Sequence, residues 1–152
     1  MLNKEFLERK VKLIQEDLAR LEPLANLSFA ELTADDVKYS AVERYLERIV
    51  TRALDINRHC IAELGKGSEA VRTHEDTFLR LGDLGVLPKA LSKALAPSAG
   101  LRNILVHEYD SGDPRQVYTS VGQALSQYAQ YCKALSTFLE RSGSRSRGRR
   151  KR

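Results

Sequence analysis

Leu7, Val11, Ile14, Leu18 and Leu21 fall at alternating steps of four and three residues, and Val42, Leu46, Ile49, Ala53, Ile56 and Cys60 repeat the rhythm. Such spacing returns to one side of an α-helix turn after turn, so each stretch carries an apolar seam that another helix must cover. Val117, Val121, Leu125, Tyr128, Cys132, Leu135 and Leu139 form a third seam. No alternating strand pattern competes with these, and the chain is expected to be all-α, an antiparallel bundle of four to six helices.

Cap and stop signals divide the bundle. The second helix is expected to start at Thr33-Ala-Asp-Asp and stop at Gly65-Lys-Gly, and a shorter one follows Thr73 with Phe78, Leu79 and Leu81 inward. After Gly85, Pro88 opens a helix that Pro97 interrupts, and the next runs to about His107. Asp110-Ser-Gly is a turn, and Asp113-Pro114 reads as an N-cap and first position of the last helix. Gly65-Lys-Gly-Ser lacks the earlier glycine of a phosphate loop and follows a helix rather than a strand, so it reads as a stop.

A chain of 152 residues is one domain with room for a core. Its first residues are charged and amphipathic, and no run of about 18 apolar residues occurs, so a cytoplasmic protein with no membrane partner is expected. Cys60 and Cys132 sit on apolar seams and are expected to be buried free thiols. His59 and His74 lack a third ligand at a recognisable spacing; no metal site and no cofactor is expected.

Charge is unevenly spread. Seven basic groups, Arg141, Arg145, Arg147, Arg149, Arg150, Lys151 and Arg152, lie in residues 141–152, which hold no acid, so a net charge of +5 leaves the first 140 residues at −2. The expected domain is therefore 1–140, with 141–152 a disordered basic tail able to hold RNA through charge and counterion release, or else a solubilising appendage.

The chemistry concentrates in Arg102-Asn-Ile-Leu-Val-His-Glu-Tyr109. On a helix Arg102, Asn103, His107 and Tyr109 fall within about 160° of one another, while Leu101, Ile104 and Leu105 point the other way. Arginine offers a permanent planar fork that matches phosphate oxygens, and histidine exchanges protons near neutrality. Four residues alone also fit an ordinary solvated helix end. Asp55, on the second helix, is a candidate to orient His107 or Arg102, although a solvated helix charge is the simpler reading.

The pattern Arg102, Asn103, His107, Tyr109 resembles the signature of the HepT-like branch of the HEPN superfamily. The resemblance takes in Glu43-Arg-Tyr-Leu and Ala53-Leu-Asp-Ile, Thr77-Phe-Leu-Arg-Leu to Leu87, and Asp113-Pro-Arg-Gln-Val-Tyr, covering residues 1 to about 140. It implies a metal-independent endoribonuclease toxin of a toxin–antitoxin system, with Arg102 and His107 catalytic and Asn103 and Tyr109 positioning substrate in the cleft of a homodimer. It further implies a minimal nucleotidyltransferase antitoxin of the MntA type, which silences the toxin by adding AMP to Tyr109. Two other readings remain open: a non-catalytic HEPN module that binds nucleotide or scaffolds a nucleotidyltransferase, and a purely structural helical dimer. Loss of the arginine or histidine would have favoured the former, and both are present.

Overall fold

The computed structural model describes residues 1–65, 71–107 and 113–150, with side chains described for all of these except 106, 107 and 144–150. Among the described residues seven α-helices follow in order: α1 (Lys4–Leu21), α2 (Phe29–Thr33), α3 (Asp36–Leu64), α4 (His74–Asp83), α5 (Lys89–Leu95), α6 (Ser98–His107) and α7 (Pro114–Arg150). A 3-10 turn, Glu22–Asn26, follows α1, and no strand occurs among the described residues. The all-helical expectation holds, with five helices of ten residues or more.

The seams of α1, α3 and α7 meet in one core. Leu7, Ile14, Leu21, Val42, Ile49, Ala53, Ile56, Cys60 and Leu135 are fully buried. Asn3–His59, Lys10–Asp55 and Arg52–Asp17 contacts run α1 antiparallel to α3, while Cys132 opposite Val11 and Gly143 beside Lys4 set α7 antiparallel to α1. Both cysteines are free, and burial pushes each thiol up to about 12. No described helix is long and apolar enough to cross a membrane.

Two polar groups tie the bundle. Asp17 on α1 is fully buried and receives Arg20 of its own helix at 2.9 Å, and Arg52 at 2.6 Å and Arg48 at 3.2 Å from α3, so one carboxylate pins α1 to α3 through two guanidinium groups. The Tyr131 hydroxyl of α7 reaches Asn57 Oδ1 at 2.6 Å and the Ala53 carbonyl at 3.1 Å. Asn57 Nδ2 then donates to Thr77 Oγ1 at 3.1 Å, and Thr77 donates to the His74 carbonyl at 2.6 Å. Every polar atom of that chain is partnered, as burial requires.

The boundaries refine the sequence reading. Thr33 ends α2 instead of capping the long helix; Asp35 is its N-cap, accepting from the Val37 and Lys38 amides at 3.1 Å, and Gly65 ends it as expected. Short α2 and the 3-10 turn were not foreseen, because five-residue elements carry no periodic signal. Thr73 caps α4, but Leu79 is 40% exposed, and Thr77 and Gly82 take the inward positions beside Phe78 and Leu81. Gly82 is small by necessity, since a Cβ there would stand 2.7 Å from Ser92 Oγ on α5. Gly85 ends that segment at φ +78°, a left-handed turn that glycine adopts without strain. At the other end of the chain, helical backbone runs through Arg150, past the expected boundary at residue 140. Arginine is a good helix former, and a helix anchored by Leu135 and Leu139 propagates cheaply once nucleated.

Candidate functional site

α6 is fixed at its start by Ser98, whose hydroxyl donates to the Leu95 carbonyl and lies 2.6 Å from the Tyr128 hydroxyl of α7. Leu101 and Leu105 bury against the core, Ile104 is half-buried and Asn103 is exposed. The apolar and polar sides of the motif helix therefore divide as the sequence suggests over the residues whose side chains are described. Helical backbone extends through His107, the last residue of α6, so its Cα lies about 7.5 Å along the axis and about 140° around from that of Arg102. The His107 side chain and the whole of Tyr109 lie outside the described residues, as do the side chains of Arg145, Arg147, Arg149 and Arg150 and the whole of Lys151 and Arg152.

Arg102 is half-buried, and its Nε donates to Thr51 Oγ1 on α3 at 3.1 Å. A neutral hydroxyl orients the guanidinium without neutralising it. Through Nε it leaves the paired terminal N–H groups, the end that forks around a phosphate, directed away from that contact. Asp55, the orienting candidate, lies one turn further along α3 and is engaged elsewhere, 3.0 Å from Lys10 and 3.9 Å from Arg58. Thr51 performs the task that Asp55 was considered for, and no motif marks it, because a threonine inside a helix has many structural uses.

His74, the first residue of α4, is brought to the same side of the molecule. Together with Arg72, Glu75, Gly100 and Asn103 it lines a cavity of about 400 Å³ at the junction of α4 and α6. Burial holds its imidazole below the usual histidine range, and the nearby Arg58 and Arg102 charges add to the effect, so His74 is neutral near pH 7. No cluster of His, Cys, Asp and Glu suited to a metal occurs among the described residues.

A family model, Ribonuclease HepT-like, matches residues 14–135, a span that contains α3, α4 and the whole motif. The chain belongs to the HepT-like family. The tRNA nuclease HepT of Aphanizomenon flos-aquae (strain 2012/KM1/D3) is 36% identical over 134 residues, 88% of this chain and 90% of that protein. Two solved structures share the HepT-like fold seen here. The tri-AMPylated Shewanella oneidensis HEPN toxin in complex with MNT antitoxin aligns with TM-score 0.74 at 21% identity over 87% of this chain and 97% of its own. YutE of Bacillus subtilis, a cytosolic protein of unknown function, aligns with TM-score 0.78 at 16% identity over 93% of both chains.

Proposed function

We propose that this HepT-like chain is the ribonuclease toxin of a toxin–antitoxin pair and cuts RNA by acid–base chemistry at His107 and Arg102. The observation that carries the reading is Arg102 itself, a guanidinium oriented by a neutral partner on the helix that ends at His107, in a chain 36% identical to a tRNA nuclease. A two-fold dimer would bring two such helix ends to one cleft. His107 of one protomer takes the 2'-hydroxyl proton as O2' attacks phosphorus. The P–O5' bond then breaks, and the partner's His107 gives its proton to the departing 5'-oxygen, leaving a 2',3'-cyclic phosphate. Arg102 stabilises the charge that builds on the phosphorane oxygens, and Asn103 and Tyr109 position phosphate or ribose. Imidazole and guanidinium supply the proton transfer and the charge stabilisation, so the reaction needs no metal. The basic residues from Arg145 to Arg152 add affinity for RNA through charge.

Regulation falls to Tyr109 in this reading. AMP added two residues beyond His107 puts bulk and negative charge where the RNA phosphate must sit, and offers Arg102 a competing phosphate. The enzyme making that modification is a minimal nucleotidyltransferase antitoxin of the kind found with the Shewanella toxin.

Purified protein incubated with RNA in excess EDTA is expected to yield fragments ending in 2',3'-cyclic phosphate, and His107→Ala is expected to yield none. Cleavage at wild-type rate by that variant would remove the mechanism. Co-expression with the nucleotidyltransferase is expected to add AMP masses to the peptide containing Tyr109, absent in Tyr109→Phe; an unmodified peptide from a neutralised toxin would replace modification with occlusion.

A further inference from the structure

One side of α7 carries a continuous polar stripe. Gln116, Ser120, Gln123, Gln127 and Gln130 follow at steps of three or four residues, and Lys133, Thr137 and Arg141 prolong the row on the same side of the helix. The stripe is one wall of a groove. Its first part, a cavity of about 670 Å³, has Leu46 and Val50 of α3 and Leu101 and Ile104 of α6 on the other walls. Its second part, about 890 Å³, faces Leu87, Leu91 and Ala94 around α5 and includes the half-buried Phe138. Ala94 and Gln127 line both parts, so the two join, and from Gln116 to Arg141 the helical rise spans about 37 Å.

We propose that this groove holds the single-stranded RNA that flanks the scissile phosphate, leading it from the motif helix along α7 toward the basic C-terminal residues. The inference rests on the ribonuclease reading above. Position argues for it at both ends. Gly100 of α6 is on the groove wall, and the Cα of His107 stands two turns further along, about 20° around the helix from that of Gly100. Arg141 lines the other end, and helical backbone continues past it through Arg150. Charge agrees as well. Asp113 is the only carboxylate among the described lining residues, and it already serves as the cap of α7, accepting from the Arg115 amide at 2.9 Å. The chemistry of the walls favours RNA over an acidic peptide: glutamine amides and a serine hydroxyl both donate and accept, which suits the polar edges of uncharged bases, while the apolar wall opposite receives base faces. Carboxylates of a peptide would meet neutral amides along most of the stripe. Lys133 and Arg141, eight positions apart on the exposed rim, take backbone phosphates.

The test uses a 2'-O-methyl oligoribonucleotide, whose blocked 2'-oxygen cannot attack, so the probe stays intact. Full-length protein, Gln127→Glu and Ser136→Glu are compared by fluorescence anisotropy, with thermal melting to verify each fold. Ser136 is exposed and stands about 180° around α7 from Gln127, so the two variants add the same charge to opposite sides of one helix. Gln127→Glu is expected to weaken binding about tenfold and Ser136→Glu about twofold or less. Lys133→Gln is expected to lower the slope of log affinity against log salt by about 0.7, the loss of one phosphate contact. Affinity is expected to rise as the probe is lengthened from about four to about ten nucleotides, and to rise less in Gln127→Glu. On cleavable RNA the Gln127→Glu loss is expected in KM more than in kcat. Equal weakening by Gln127→Glu and Ser136→Glu overturns the groove, while His107-dependent cleavage in the same preparations keeps the ribonuclease reading. RNA binding intact in Gln127→Glu, with an oligomer lost in light scattering, makes the groove an interface between copies and removes the RNA track. If the unaltered protein neither binds the probe nor cuts RNA, both readings fall.

Discussion

Thr51 and Arg52 are neighbours on α3, and they serve arginine sites of opposite kinds. Arg52 turns toward α1 and joins Arg20 and Arg48 around Asp17, a carboxylate with no exposure at all. Thr51 turns toward α6 and accepts from Arg102 through a hydroxyl. At Asp17 three guanidinium groups share one buried carboxylate and serve the joint between two helices. At Arg102 the side chain is oriented by a hydroxyl and pairs with no carboxylate among the described residues, which raises the local potential for an incoming anion. Arginine content alone therefore says little about nucleic-acid binding; the partner on the first hydrogen bond decides it.

The strongest way to break this comparison is to remove the proposed chemistry. His107→Ala and Arg102→Ala are each expected to lower RNA cleavage by about 10² to 10⁴. Both should leave the melting temperature near that of the parent, read by circular dichroism, because at 100° per residue both positions fall off the Leu101, Ile104, Leu105 stripe. Next comes the joint: Asp17→Ala is expected to cost on the order of 3 kcal/mol in urea unfolding, the low end for breaking a buried ion pair, since its arginines are partly exposed and rehydrate. Cleavage per folded molecule should be unchanged, and a variant that lost activity while remaining as stable as the parent would erase the distinction between the two sites.

Thr51→Val sharpens the contrast further. It removes one neutral hydrogen bond, so cleavage is expected to fall about fivefold with a stability change near 1 kcal/mol or less. Asp55→Asn in parallel is expected to change cleavage less than twofold. Smallest is the tail: removing residues 142–152 should weaken RNA binding and flatten its salt dependence while kcat holds. Binding unchanged across the salt titration would return that segment to a solubilising role.

Much of this molecule was legible in its sequence. The three apolar seams named every apolar core position of α1 and most of those of α3 and α7, missing Val50, Leu54, Ala124 and Tyr131 and including the half-buried Leu125, because burial of a helix face leaves a periodic mark that each residue reports locally. Caps marked Thr73 and Gly65, and the cluster at 102–109 stood out as the candidate site through residue type and spacing. The tertiary structure decided what spacing does not encode: that Asp17 collects three arginines, that Thr51 and not Asp55 orients Arg102, and that His74 shares a cavity with Asn103 of the motif. Periodicity reports which face of a helix is buried, a property of one segment. Polar partnership depends on how segments are rotated against one another, and a rotation of one residue's 100° on α3 separates Thr51 from Arg52 and one use of arginine from the other.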